Sequence, residues 1–110
     1  MSLVQIRSMV GVTAGAQYGS PFELGLTNAV VATALILGIG SGATLLTLQC
    51  EASLDGGASW FPVGSAASGS ATVGAQILVD GWFLAGLGRV KATSTGGSVK
   101  FLLLVNTYTR

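Results

Sequence analysis

The sequence predicts an all-β fold, specifically an antiparallel β-sandwich, jelly-roll or immunoglobulin-like, of about 7–8 strands. Three observations predict it. Apolar and polar residues alternate with the period of two that is typical of half-buried strands. Clusters of glycine and serine separate these runs at short spacing, and no segment has a convincing helical period. The 110 residues are about the length of one domain, so we expect a single sandwich domain over 1–110.

Two strands are predicted in the N-terminal part of the chain. The run from Leu3 to Val12 alternates valine and isoleucine with polar residues, which predicts a half-buried strand. The run from Phe22 to Leu26 follows Pro21, at a position where a missing amide hydrogen is tolerated. It is therefore expected to be an edge strand.

The middle of the chain contains a long apolar run and a clean alternation. The run from Ala29 to Leu37 is rich in β-branched residues, which favours a strand covered on both faces, with a buried helix as the alternative. After a glycine-rich turn, Ala43 to Ser53 alternates between an apolar and a polar face, as a half-buried strand does. Residues 65–70 are small and polar, which predicts a flexible loop.

The pattern of the C-terminal part predicts three strands joined by tight turns. The run from Ala71 to Val79 predicts one strand, the pair Asp80-Gly81 a turn, and the run from Trp82 to Ser94 the next strand. Two central glycines in residues 95–98 predict a hairpin into the last strand, Val99 to Tyr108. Both faces of that last strand are partly apolar, as in a central or an interface strand.

Charged residues are scarce. The chain has five basic and four acidic residues, whereas an average domain of this length has about 27 charged residues. Half of its residues are hydrophobic and 17 more are glycine, so a monomer is expected to leave apolar surface exposed. Residues 24–50 and 56–79 carry no charge at all. We therefore expect these neutral stretches to be buried by assembly, either against neighbouring subunits of a homo-oligomer or against a larger protein shell.

The composition argues against several functions. The formal net charge is +1 and the basic residues are scattered, which argues against nucleic acid and anionic membranes as partners. The chain has no histidine, which removes Ser-His-Asp and Cys-His catalysis and histidine metal sites. Cys50 is expected to be a small buried hydrophobe rather than an activated thiol. We expect no enzyme activity, no metal and no cofactor.

A membrane protein is a further alternative, because Ala29 to Leu48 approaches the length of a bilayer-crossing helix. Glycines between residues 38 and 42 and several threonines interrupt the run, so we expect no membrane span. The first seven residues also lack the basic start and apolar core of a secretion signal.

One local motif stands out between residues 53 and 60. It has the spacing Ser-x-Asp-x-Gly-x-x-Trp and predicts a structural hairpin turn, in which Asp55 accepts amide hydrogen bonds and the glycines take positive φ. The candidate hairpin residues are Ser53, Asp55, Gly56, Gly57 and Trp60. The motif resembles the Asp-box turn of sialidases. It occurs once here, which is too few for a propeller, so the resemblance extends to a turn and not to an enzyme.

A broader pattern resembles small β-sandwich domains of bacteriophage virions. It consists of a strand, a Ser-x-Asp-Gly turn and a tryptophan, here Leu46 to Trp60, and later a strand of the Arg-Val-Lys-Ala-Thr-Ser type, here Arg89 to Ser94. This resemblance implies a location in the virion. It also implies a capsid decoration (cement) protein, commonly a trimer bound to the major capsid protein or other virion proteins, or a domain of a tail or fibre.

Three aromatic residues are candidates for contact with a ligand or a partner: Trp60, Phe61 and Trp82. Exposed aromatic rings suit stacking on sugars, although we expect core packing for each of these rings. The alternative function is therefore a carbohydrate-binding or adhesive module of a phage tail or fibre.

Overall fold

Two antiparallel sheets contain the strands of this chain. The computed structural model describes residues 3–11, 15–18, 21–23, 29–82 and 86–108. Nine strands lie within these residues. They are β1 (Leu3–Gly11), β2 (Gly15–Tyr18), β3 (Phe22–Glu23), β4 (Ala29–Ile39), β5 (Leu45–Ser53), β6 (Phe61–Ser70), β7 (Gln76–Trp82), β8 (Leu87–Thr95) and β9 (Val99–Tyr108).

The strands form a four-stranded sheet in the order β1-β9-β4-β7 and a five-stranded sheet in the order β2-β8-β5-β6, with the short β3 also paired to β8. Every pairing is antiparallel. The predicted antiparallel β-sandwich is therefore confirmed. The strand predicted to end at Leu26 is seen as Phe22–Glu23, and residues 24–28 lie outside the described part of the chain.

The core lies between the two sheets and is filled by alternate residues of the central strands. From the four-stranded sheet come Val30, Ala32, Ala34 and Ile36 of β4 and Val99, Phe101, Leu103 and Val105 of β9; from the five-stranded sheet come Leu46, Leu48 and Cys50 of β5 and Val90 and Ala92 of β8. The inner face predicted for Ala43 to Ser53 is thus the buried face. The core combines large residues such as Phe101 with small ones such as Ala32 and Ala34.

Two glycine turns carry the chain from one sheet to the other. Residues 40–44 join β4 to β5, and residues 96–98 join β8 to β9. The turns contact each other: the Gly40 amide donates to the Ser98 carbonyl at 2.7 Å, and the Thr44 amide donates to the Thr95 carbonyl at 2.9 Å. The predicted β8–β9 hairpin is therefore wrong. A short glycine turn can form a hairpin or connect two different sheets. Here it connects two sheets, and β8 and β9 each pair with strands that are distant in the sequence.

Three other predictions about local structure are corrected by sheet pairing. Residues 65–70 are not a loop, because they belong to β6 and pair with β5. The pair Asp80-Gly81 is not a turn, because it lies inside β7 opposite Val31 and Val30. The strand β4 is central in its sheet, but only one of its faces is buried, since Val31, Thr33 and Leu35 are partly exposed.

The pairing of β5 with β6 shifts register between Leu48 and Cys50, where β6 has the extra residues. The side-chain amide of Gln49 donates to the Val63 carbonyl at 3.0 Å and to the Gly64 carbonyl at 3.3 Å. These bonds satisfy β6 carbonyl groups at the point where the ladder is interrupted. Among the described residues, no helix is long and apolar enough to cross a membrane.

Candidate interaction surfaces

The hairpin between β5 and β6 is held by a ring of hydrogen bonds around Asp55. The Ser53 hydroxyl donates to Asp55 Oδ1 at 2.7 Å and accepts from the Gly57 amide at 2.8 Å. The Ser59 amide donates to Asp55 Oδ1 at 2.9 Å, and the Ser59 hydroxyl donates to Asp55 Oδ2 at 2.5 Å. Gly56 and Gly57 have φ of 74° and 99°, which only glycine adopts easily.

These bonds also set the acidity of the Asp55 side chain. Hydrogen bonds from Ser59, through its side chain first and its backbone second, together with that from Ser53, lower the pKa of Asp55 to about 2. Each of them stabilises the ionised carboxylate, so its oxygens are occupied within the turn. A carboxylate engaged in this way is a structural acceptor rather than a proton donor or a nucleophile.

The hairpin folds its tryptophan over the outer face of the five-stranded sheet. Trp60 Nε1 donates to the Gly57 carbonyl at 3.1 Å. The guanidinium carbon of Arg89 lies 4.2 Å from the centre of the Trp60 ring and 4.1 Å from that of Tyr18, so Arg89 is stacked between two aromatic rings. Arg89 Nε also donates to Glu51 Oε1 at 2.8 Å. The cluster joins β2, β5, β8 and the hairpin.

The remainder of this outer face is polar. Lys91 Nζ lies 5.9 Å from the centre of the Tyr18 ring, and the hydroxyl groups of Thr47 and Ser68 are hydrogen-bonded at 2.8 Å across β5 and β6. Among the side chains that the structure describes here, charged and hydroxyl groups predominate. This face is therefore suited to contact with water.

The outer face of the four-stranded sheet is different. Half of its described side chains on β4, β7 and β9 are apolar, namely Val31, Leu35, Leu78, Leu102 and Leu104; the other half are Thr33, Gln76, Asp80, Lys100 and Asn106. Leu78 is 59% exposed, and Leu102 and Leu104 of β9 are partly exposed. Only Asp80 and Lys100 are charged in this set. We call this surface the apolar face; all its residues from 31 to 78 lie in the stretches expected from the sequence to contact neighbours.

Neither the comparison with protein-family models nor the comparison with curated proteins finds a match. The fold does resemble solved structures. The PBSX exported protein XepA matches with a TM-score of 0.70 and 14% sequence identity over 98% of this chain, which spans only 37% of XepA. The Yersinia pseudotuberculosis-derived mitogen matches with a TM-score of 0.53, 13% identity, and coverage of 98% and 87% of the two chains. The SPBc2 prophage-derived protein YomS matches with a TM-score of 0.50, 18% identity, and coverage of 96% and 95%. At these identities the likeness shows the fold alone.

The structure separates the three aromatic residues singled out in the sequence. Trp60 is stacked on Arg89 and does not pack in the core. Phe61 begins β6 opposite Ala52 and is 42% exposed. Trp82 ends β7 opposite Ala29, and its side chain lies outside the described set. The core packing expected for Trp60 and Phe61 is therefore wrong. Phe61 is paired with Ala52, which faces the core, so it lies on the inner side of the sheet, whereas Trp60 lies on the outer side. The two rings therefore do not form a shared platform.

Sequence reasoning missed Arg89, Glu51 and Tyr18 as members of one cluster. Glu51 and Arg89 lie in predicted strands, whereas no strand was predicted at Tyr18, and only the pairing of β8 with both β5 and β2 brings the three together. Cys50 is buried, and desolvation, followed by the charge of Asp80, raises the pKa of its thiol to about 12. The described residues contain no group of three or more cysteine or carboxylate side chains that could hold a metal ion.

Proposed function

We propose that this chain is a structural, non-enzymatic protein of a bacteriophage virion, and that it is a capsid decoration (cement) protein that binds and stabilises the shell as an oligomer. The observation that carries the proposal is the apolar face. A small soluble monomer rarely exposes a broad apolar surface, and such surfaces mark contacts with other proteins. The partners we propose are further copies of this chain and the major capsid protein or another virion protein.

The fold supports the virion setting. The sandwich resembles XepA, an exported PBSX protein, and YomS, a prophage-derived protein. The virion-like pattern in the sequence, Leu46 to Trp60 followed by Arg89 to Ser94, occupies the hairpin and two of the three strands that build the Arg89 cluster, β5 and β8. Both observations favour a structural module of a phage particle, and the cement-protein resemblance favours a trimer.

The chemistry of the described side chains supports a role without catalysis. The Asp55 carboxylate is engaged by Ser53 and Ser59, and Glu51 is paired with Arg89. The Cys50 thiol is buried, and its raised pKa leaves almost no thiolate at neutral pH. None of these groups has the exposed, activated environment that a catalytic nucleophile or base requires.

Location in the virion can be tested directly. Particles purified from a strain that carries the gene are analysed by mass spectrometry, and an antibody to this chain is then used for immunogold electron microscopy. Peptides in stoichiometric amounts and gold on the capsid support the proposal. Absence from the particle overturns it, and gold confined to the tail overturns the decoration role while keeping the virion role.

A carbohydrate-binding module is the second candidate, because two aromatic rings are exposed. Tyr18 is 49% exposed beside Arg89 and Lys91, and Phe61 is 42% exposed. Aromatic rings with polar neighbours suit sugar stacking. A glycan array compares the wild type with Tyr18→Ala, Trp60→Ala and Phe61→Ala variants. A signal lost in one variant supports this function, and an array without any ring-dependent signal rejects it.

A further inference from the structure

The apolar face has a charge pattern that is complementary to itself. Asp80, Val31 and Asn106 lie in one row across the sheet, because Val31 pairs with both of the others. Lys100 lies at the opposite end of β9, six residues from Asn106 and therefore about 20 Å away. Two rows lie between these ends: one holds Leu78, Thr33 and Leu104, and the other holds Gln76, Leu35 and Leu102.

We infer that this face binds the same face of a second copy of the chain, with the strands of the two copies antiparallel. In that arrangement a twofold axis in the plane of the contact, perpendicular to the strands, exchanges the two ends of the sheet. Lys100 of each copy then lies over Asn106 of the other copy, in the same row as Asp80 and two strands to the side of it, and the two middle rows, which hold the leucines, meet in the centre. A twofold contact requires such a self-complementary patch. Parallel strands would instead place like charges together.

The size of the face fits a small specific contact. Four strands of about ten residues cover roughly 30 by 19 Å, or on the order of 500 Å² in plane before side-chain relief is counted. The smallest specific interfaces bury about 600 Å² on each partner. The opposite, outer face of the five-stranded sheet is polar around the Arg89 cluster, so it is the apolar face that gains most from being covered.

The inference rests on the proposed function for its setting but makes a separate prediction about stoichiometry. A twofold contact pairs two copies and gives an even number of chains, whereas the cement-protein resemblance favours three. The mass of the purified protein, measured by sedimentation velocity, distinguishes them in multiples of the 11.0 kDa chain.

A matched pair of variants tests the surface. Leu78 on the apolar face is 59% exposed and Leu54 in the hairpin is 60% exposed, so lysine at either position costs little in folding. We expect wild type and Leu54→Lys to sediment as pairs at micromolar concentration. We expect Leu78→Lys to raise the dissociation constant at least tenfold and to sediment as a monomer. Circular dichroism checks that both variants remain β-structured.

Charge reversal tests the orientation. Asp80→Lys and Lys100→Asp each place like charges together across an antiparallel contact, so each is expected to weaken pairing several-fold. The double variant Asp80→Lys/Lys100→Asp restores opposite charges and is expected to recover most of the wild-type affinity. A double variant that is weaker than both single variants overturns the antiparallel arrangement.

Three results overturn the inference as a whole: a monomeric wild type, a Leu78→Lys variant with wild-type mass, or a mass of three chains. A trimer that is found on capsids overturns the inference and leaves the proposed function standing. A pair that is absent from purified virions overturns the function and leaves the inference standing.

Discussion

The guanidinium carbon of Arg89 lies 4.2 Å from the centre of the Trp60 ring, and this stack fastens the Asp55 hairpin to the outer face of the five-stranded sheet. The opposite side of the guanidinium faces Tyr18 on β2, and Glu51 on β5 accepts its Nε hydrogen. One side chain therefore ties together segments that are distant in the sequence.

Lysine does not replace Arg89, because an ammonium group lacks the planar surface that stacks between two rings. We expect Arg89→Lys to lower the free energy of unfolding by about 1–2 kcal/mol, measured by urea denaturation. The control is Lys91→Met, which removes a single, longer ring contact and is expected to change stability by less than about 0.5 kcal/mol. Equal unfolding midpoints for Arg89→Lys and the wild type would show that the stack is not stabilising.

The Asp55 turn should weaken in acid. Its pKa of about 2 lies below the ordinary value of 3.8, so the folded protein binds the proton less tightly than the unfolded chain. The stabilisation is complete above about pH 4 and is lost as the pH falls through about 2. An asparagine side chain has one acceptor oxygen in place of two and no charge, so Asp55→Asn is expected to be less stable than wild type at pH 6. That difference should shrink steadily when urea denaturation is repeated between pH 5 and pH 2; a difference that is constant with pH contradicts the assignment.

The two glycine turns, residues 40–44 and 96–98, contact each other so closely that no room is left for a side chain at Gly96. Its φ is 86°, and an added Cβ would overlap the carbonyl oxygen of Gly42. We expect Gly96→Ala to destabilise the fold by about 3 kcal/mol or more, from overlap and backbone strain together. Gly74 is the matched control, because its φ is 90° and nothing lies within 4 Å of the added Cβ. Gly74→Ala should cost only about 1 kcal/mol in urea denaturation, so similar losses for the two variants would reject the contact.

The Cys50 thiol should resist alkylation while the protein is folded. Burial keeps iodoacetamide away, and the pKa of about 12 leaves almost no thiolate at pH 8. Mass spectrometry over time is expected to show slow labelling in buffer and rapid labelling in denaturing urea. Labelling in buffer at the rate of a free peptide thiol would mean that β5 opens readily.

The sequence predicts the sheet interior well because burial alternates with the strand period. Leu46, Leu48 and Cys50 were expected on one face of the strand that ends at Ser53, and that is the face found in the core. The hairpin at Asp55 was also visible, since its hydrogen bonds join residues at most four apart. Interactions between residues that are close in the sequence can therefore be predicted from the sequence.

The errors about strands and turns concern partners distant in the chain. Residues 65–70 look like a loop by composition, but pairing with β5 makes them a strand. The glycines at 96 and 97 suit a hairpin, yet β8 pairs with β5 while β9 pairs with β4. The Arg89 cluster depends on the same long-range register. Turn propensity and alternation carry no information about which distant strand becomes the neighbour.

The two glycine turns also affect the order in which the strands can pair during folding. Because they send β4 and β9 to one sheet and β5 and β8 to the other, strand partners are far apart in sequence; Ala29, for example, pairs with Tyr108. Closing such large loops is entropically costly and slows folding. Among the strands that the structure describes, β5 and β6 are the two that pair across a short connection, so we expect their amides to gain protection first in pulsed hydrogen exchange. The Asp55 turn would then act as the nucleus, and the apolar face would be among the last surfaces to form.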